Sequence, residues 1–284
     1  MYYMEKLENL LFTAKVQKPG VPGLTFMEKM VQNKINSLLG FYWPDHHIFR
    51  RVLARLKEDG LSEPQILKIK NSAHPDYAKL LTVVANNTTN FFRNFHLPTD
   101  LNPILEDLNK NKEYQILSLP CSIGAEPYSL AMYADKLGLK ARVRGIDINP
   151  ENIHKAQNAE YPWSKYESFP VGKRPAYFNE ILEQNIEKSD KVFRISQKIR
   201  EKVNFDCANV LDWESSPIYD FILCHNLSIY LTQNNVRILI EKLVQALNSQ
   251  GVLSTDIPFT LMLEQPEIQK MPLKGFYQKK KNSA

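Results

Sequence analysis

The residues best equipped for chemistry lie in four short segments. The first is Asn87-Thr88-Thr89-Asn90-Phe91-Phe92-Arg93, where an aromatic pair runs straight into an arginine. Read alone, Phe91-Phe92 is a core anchor and Arg93 a surface charge. The second is Pro120-Cys121-Ser122-Ile123-Gly124-Ala125-Glu126-Pro127-Tyr128-Ser129, a polar turn with one glycine that lets the backbone approach a ligand closely. Asp147 follows about twenty residues after Gly124, the place where an acid bonds ribose hydroxyls in doubly wound folds. Helix capping ahead of Asn149-Pro150 is the alternative role for Asp147. The fourth segment is Cys224-His225-Asn226-Leu227-Ser228-Ile229-Tyr230. Tyr230, taken alone, reads more readily as a packed aromatic than as a catalytic residue. Asp206 and Asp212 are weaker acidic candidates, and Glu126 reads alone as a first-turn acid favoured by the helix dipole.

Several chemistries lose support. One glycine does not make a dinucleotide fingerprint, and there is no P-loop, which argues against nicotinamide and phosphoryl-transfer chemistry. The three cysteines, Cys121, Cys207 and Cys224, are odd in number and widely spaced, so free buried thiols are expected rather than disulfides or a metal site.

The elements that must position these segments read as follows. Among 284 residues, 43% are hydrophobic and 24% charged, as in a soluble globular protein. The net charge of +5 is mild and does not by itself favour nucleic acid. No apolar run is long enough to span a bilayer, and the start of the chain has no signal-peptide core, so a cytoplasmic location is expected. Pro19-Gly20-Val21-Pro22-Gly23 is a breaker cluster that sets off residues 1–24 as an N-terminal extension. Residues 25–97 read as a helical domain. Phe26, Met27, Met30, Val31, Ile35, Leu38 and Leu39 recur at helical spacing. A second helix starts near Asp45, with Ile48, Phe49, Val52, Leu53 and Leu56 on one side and His47, Arg51 and Arg55 on the other. Further helices are expected over residues 63–70 and 75–85.

From residue 98 to 284 the pattern is α/β. Strands are expected over residues 114–119, 142–148, 203–207, 219–224 and 251–255, with helices between them. Such alternation gives a doubly wound, Rossmann-like parallel sheet whose ligands bind beyond the carboxyl ends of its strands. Within residues 158–207 the alternation breaks, and Val192-Phe193-Arg194-Ile195 with the strand at Val203 is expected to form a small antiparallel β-subdomain. Lys279-Lys280-Lys281 reads as a solvated end.

These segments, in this order and spacing, resemble the chemotaxis-receptor methyltransferases, the CheR family. Thr89-Asn90-Phe91-Phe92-Arg93 is similar to its Thr-x-Phe-Phe-Arg element, and Cys121 to Ser129 to its Cys-Ser-x-Gly-x-Glu-Pro-Tyr-Ser loop. Gly145-Ile146-Asp147-Ile148 matches the family's second-strand end, and Cys224 to Tyr230 its Cys-Arg-Asn-x-x-Ile-Tyr segment. Arg51 to Ser62 looks like its basic N-terminal helix.

The resemblance implies S-adenosylmethionine as methyl donor, S-adenosylhomocysteine as product and receptor glutamates as acceptors. It implies cofactor contacts from Asn87, Thr89, Arg93, Gly124, Glu126, Asp147, Asn209, Val210, His225 and Asn226, with Glu126 facing the sulfonium and amino group. Arg93 and Tyr230 would flank the transferring methyl. Arg51 and Arg55 would face an acidic, helical receptor domain. The β-subdomain is the part that in some members docks a receptor tail. A monomer is expected, with no metal, no membrane insertion and no nucleic acid.

Some positions depart from the family pattern. His225 stands for an Arg, Leu119-Pro120 for a small residue and Gly, Ala125 for an acid, and Thr255-Asp256-Ile257-Pro258 for Gly-His-Ser-Glu. The Asn/Asp-Pro-Pro-Tyr motif of amino-group methyltransferases is missing. A CheR-like enzyme with another acceptor and a catalytically silent cofactor-binding scaffold are the alternatives.

Overall fold

The computed structural model describes residues 23–40, 43, 46–71, 73–84, 89–92, 102–105, 108–162, 181, 183–189, 192–214 and 219–281. Asn87, Arg93 and the proposed cap Asp45 lie outside these residues, as does the segment before Gly23. The chain divides into two compact units: residues 1–86 with 229–232, and residues 87–228 with 233–284.

The first unit is helical: α1 (Phe26–Leu39), α2 (His46–Glu58), α3 (Glu63–Lys68) and α4 (Tyr77–Val84). Thr25 starts α1 through a capping box, accepting from Glu28 N at 3.1 Å while Glu28 Oε2 accepts from Thr25 N at 2.7 Å. Glu28 also pairs with Arg50 of α2 at 2.9 Å. Gly40 ends α1 in the left-handed region.

Val31, Ile35 and Leu39 make one buried line, packed in a core that includes Phe49, Leu53, Leu56 and Ile66. Phe26, Met27 and Met30, expected on the same apolar stripe, are instead exposed, Phe26 at 80%. Each helical residue advances about 100°, so Phe26 and Met30 point well away from the Val31 line, and Met27 sits on the first turn. On α2, His47, Arg51 and Arg55 are exposed, while Phe49, Leu53 and Leu56 are buried.

The second unit starts its regular structure with the short α5 (Asn102–Leu105) and is built on a seven-stranded sheet. Its strands are β1 (Glu113–Ser118), β2 (Lys140–Asp147), β6 (Val203–Cys207), β7 (Tyr219–Cys224), β8 (Leu247–Thr255), β9 (Ile268–Lys270) and β10 (Phe276–Lys279). The order is β6-β2-β1-β7-β8-β10-β9. The pairs β6/β2, β2/β1, β1/β7 and β7/β8 are parallel; β10 and then β9 add antiparallel strands beyond β8, with β9 at the edge. Helices α6 (Ala125–Lys136), α7 (Pro150–Asn158) and α9 (Gln233–Ala246) connect the parallel strands. Every residue of β7 is buried, as a strand covered on both faces requires. The chain winds outward from β1 to β2 and β6, then returns to lay β7 on the other side of β1. That reversal opens a crevice beyond the carboxyl ends of β1 and β7.

Three expectations are corrected. The small sheet comprises β3 (Glu160–Pro162), β5 (Val192–Ile195) and β4 (Ile186–Lys188), all antiparallel; the Val203 strand belongs to the main sheet, in register with Val143 of β2. Residues 196–202, including the short helix α8 (Gln197–Arg200), turn the chain between the two sheets. Lys279 is not a solvated end: its ammonium donates to the Val244 and Leu247 carbonyls at 2.8 and 3.0 Å, where a cation complements the carboxyl end of α9. Cys207 is exposed, unlike Cys121 and Cys224. It ends a strand at the sheet's edge, which leaves its side chain less covered than those on inner strands.

Candidate cofactor site

The loop from β1 to α6 is the most constrained part of the crevice. Cys121 N donates to Ile146 O at 2.8 Å, and Gly124 N to Cys121 O at 3.0 Å. Ser122 N donates to Asp147 Oδ2 at 2.7 Å. Asp147 Oδ1 accepts from Asn149 N at 2.9 Å and Asn152 Nδ2 at 3.3 Å. Asp147 thus clasps the loop to the end of β2, with Asn149, not Asp147, capping α7 through Glu151 N. Burial at 5% exposure pushes the Asp147 carboxyl above its ordinary range, and its three hydrogen bonds pull it back. A carboxylate has about four lone-pair sites, so Asp147 keeps capacity for one more donor such as a ribose hydroxyl.

Gly124 serves the fold more than close ligand approach. Its φ is 86°, and an added Cβ would sit 2.8 Å from Ala156 Cβ and 2.9 Å from Phe205 Cζ. Glu126 lies in the first turn of α6, where it accepts from the buried Ser118 hydroxyl at 2.8 Å. Its carboxylate therefore stands at the base of the crevice, suited to a cationic ligand group. Burial, reinforced by Asp147 and Glu126, pushes the Cys121 thiol well up, so it stays protonated and acts as packing rather than as a nucleophile.

The remaining sequence-derived residues divide between the units. In the second unit, Thr89 and Val210 are buried. Asn209 is engaged in a local turn, accepting from Leu211 N at 3.1 Å and donating to Asp212 at 2.9 Å. Asp206 pairs with Arg144 at 2.6 Å, which makes it part of the sheet rather than of the site. His225 Nε2 lies 2.9 Å from Ser254 Oγ, and Asn226 N donates to Asp256 Oδ2 at 2.7 Å. Tyr230 closes a 3-10 turn (Ser228–Tyr230), and the contact division groups it, like Arg51 and Arg55, with the helical unit.

Backbone geometry marks the same segments. Of five non-glycine residues with positive φ among the described ones, three are Phe92, Ser122 and Asn226. For a phenylalanine the left-handed region is costly, about 1–3 kcal/mol, and persists only where surroundings enforce it. Here Phe91 and Phe92 are buried, and Phe92 N donates to Ser129 Oγ at 2.9 Å. The strained residue immediately precedes Arg93.

Sequence reasoning missed Ser118, Tyr161, Ser254 and Asp256. Asp256 had a signal, since it falls in the altered stretch after β8; Ser118 and Ser254 read as ordinary strand residues, and Tyr161 falls where the alternation of strands and helices breaks.

The carboxylates of Glu126 and Asp147, by the ends of β1 and β2, are compatible with a ligand that carries a cationic group and hydroxyls, as S-adenosylmethionine does. Comparison with known proteins agrees. The family model described as CheR methyltransferase, SAM binding domain matches residues 87–255. The chain is 32% identical over 197 residues to the probable biofilm formation methyltransferase WspC of Pseudomonas putida, covering 66% of this chain and 44% of that protein. It is 26% identical over 230 residues to the chemotaxis protein methyltransferase of Salmonella typhimurium, covering 75% and 76%. It is 25% identical over 239 residues to that of Escherichia coli, covering 79% and 81%. The chain thus spans less than half the length of the Pseudomonas putida relative. The match over residues 87–255 makes the chain a member of the CheR methyltransferase family, with S-adenosylmethionine as its cofactor.

Proposed function

We propose that the chain is a protein-glutamate O-methyltransferase acting on the cytoplasmic helical domains of chemotaxis-type receptors, working as a cytoplasmic monomer. The observation that carries the reading is the family's SAM-binding domain over residues 87–255, in which the segments at Cys121, Asp147 and His225 stand at the carboxyl ends of the parallel strands β1, β2 and β7. The names of the Salmonella typhimurium and Escherichia coli relatives support a receptor acceptor. The exposed Arg51 and Arg55 on α2 suit an acidic helix.

When bound, S-adenosylmethionine supplies a sulfonium methyl that a carboxylate oxygen can take in a single in-line displacement, leaving S-adenosylhomocysteine. A glutamate is already ionised near neutral pH, so the protein needs no strong base. Its work is positioning and exclusion of water. Glu126 would hold the cationic end of the cofactor, Asp147 a ribose hydroxyl, and Asn87, Thr89, Asn209, Val210, His225 and Asn226 the remainder. Arg93 would fork the acceptor carboxylate, and Tyr230 would align it.

One observation favours a second acceptor class. Asp256 places a carboxylate against Asn226, where the family pattern has a glycine-led ending. That change alters the charge pattern beside Asn226, and an altered charge pattern is one way in which a site comes to take a different acceptor. Labelled-methyl transfer to receptor-enriched membranes separates the readings. A base-labile product supports a glutamate ester; a base-stable product supports the second reading.

A further inference from the structure

The β1–α6 loop is gripped from two sides, and only one grip comes from the main sheet. Ile146 O and Asp147 Oδ2 on β2 hold the Cys121 and Ser122 amides. On the other side, the Tyr161 hydroxyl of β3 donates to Ile123 O at 2.7 Å. Tyr161 is 1% exposed and has no other reason to carry an oxygen. Its ring packs edge-on to Phe91 at 5.0 Å and stacks on Phe193 of β5 at 5.5 Å. Phe91 leads into the left-handed Phe92, and Phe193 sits at the centre of the three-stranded sheet. One side chain therefore touches the cofactor loop, the segment ahead of Arg93 and the small sheet.

The geometry matters because a peptide plane carries both a carbonyl and the next amide. Fixing Ile123 O fixes the Gly124 N–H and, through Gly124, the start of α6 where Glu126 stands. Burial pushes the Tyr161 phenol well above its ordinary range, so it remains a donor at any working pH.

We infer that Tyr161 is a positioning residue for the cofactor loop, and that through it the three-stranded sheet and the cofactor site are energetically coupled. The inference rests on the cofactor site and is independent of the acceptor. By reciprocity, cofactor binding tightens the small sheet as much as ordering of the small sheet tightens cofactor binding.

The test uses the full chain and Tyr161→Phe, which keeps the ring and removes only the hydroxyl. Calorimetric titration with S-adenosylhomocysteine, well below the unfolding temperature, is expected to give a Kd about fivefold to tenfold weaker in the variant. Hydrogen exchange supplies a second readout. In the unaltered protein the ligand should slow exchange in β3 and β5 as well as in the loop; in the variant the slowing should remain in the loop and vanish from the small sheet. A merely structural tyrosine would lower the thermal midpoint and leave the Kd within twofold, which overturns the proposal. Absence of ligand protection in β3 and β5 of the unaltered protein overturns it without any variant. Failure of that protein to bind the ligand at all removes the cofactor site, and the proposal with it.

Discussion

At the scale of single residues, the site is defined by what each backbone position tolerates and what each carboxylate already holds. Gly124→Ala forces a Cβ into Ala156 and Phe205 at a left-handed φ. The expected loss is about 1–3 kcal/mol, read as a lowered midpoint in denaturant unfolding. On the proposed role of Glu126 as counter-charge to the cofactor's amino group, Glu126→Gln should give about a tenfold weaker Kd in S-adenosylhomocysteine titration. Arg93→Ala should lower methyl transfer about a hundredfold or more with the circular dichroism spectrum unchanged; unchanged turnover on a confirmed substrate removes that role. The places of Gly124, Glu126 and Asp147 in a strand-end turn, a first helical turn and a strand end were legible from spacing, whereas their cofactor roles came from the resemblance to the CheR family. Tyr161 and Asp256 were not legible. Their partners, Ile123 and Asn226, are 38 and 30 residues away in the chain, and only the fold brings them together.

At the scale of elements, α1 and α2 are joined by an ion pair with a pH signature. The Arg50 guanidinium, helped by the Thr25 amide, holds Glu28 down at about 2 from an ordinary 4.5. A carboxyl depressed on folding adds stability that is present above its ordinary range and is lost as pH falls through the folded value. Glu28→Gln should therefore cost about 1 kcal/mol at neutral pH, and the gap from the unaltered protein should close as pH falls from 4.5 towards 2. Unfolding midpoints measured across that range check it. A strand such as β7 was readable because two-sided burial leaves a continuous apolar run from Phe221 to Cys224. β9 and β10 were not, since strands of three and four residues such as Ile268–Lys270 carry too little pattern. Phe26 and Met30 show the opposite failure, a helical apolar spacing that the core does not use.

At the scale of the whole molecule, the account joins a cofactor domain of the CheR family to a helical unit with a basic face. Reversing that face with Arg51→Glu and Arg55→Glu together should raise KM for a receptor acceptor about tenfold while the Kd for S-adenosylhomocysteine stays unchanged. The central claim is the identity of the methylated atom. It is tested most directly by incubating the chain with S-adenosylmethionine and a helical cytoplasmic receptor fragment, then locating the methyl group by tandem mass spectrometry. The account predicts methyl esters on glutamate side chains that disappear on mild base treatment. Methyl groups found only on nitrogen or on another side chain, with the cofactor bound and consumed, would contradict it.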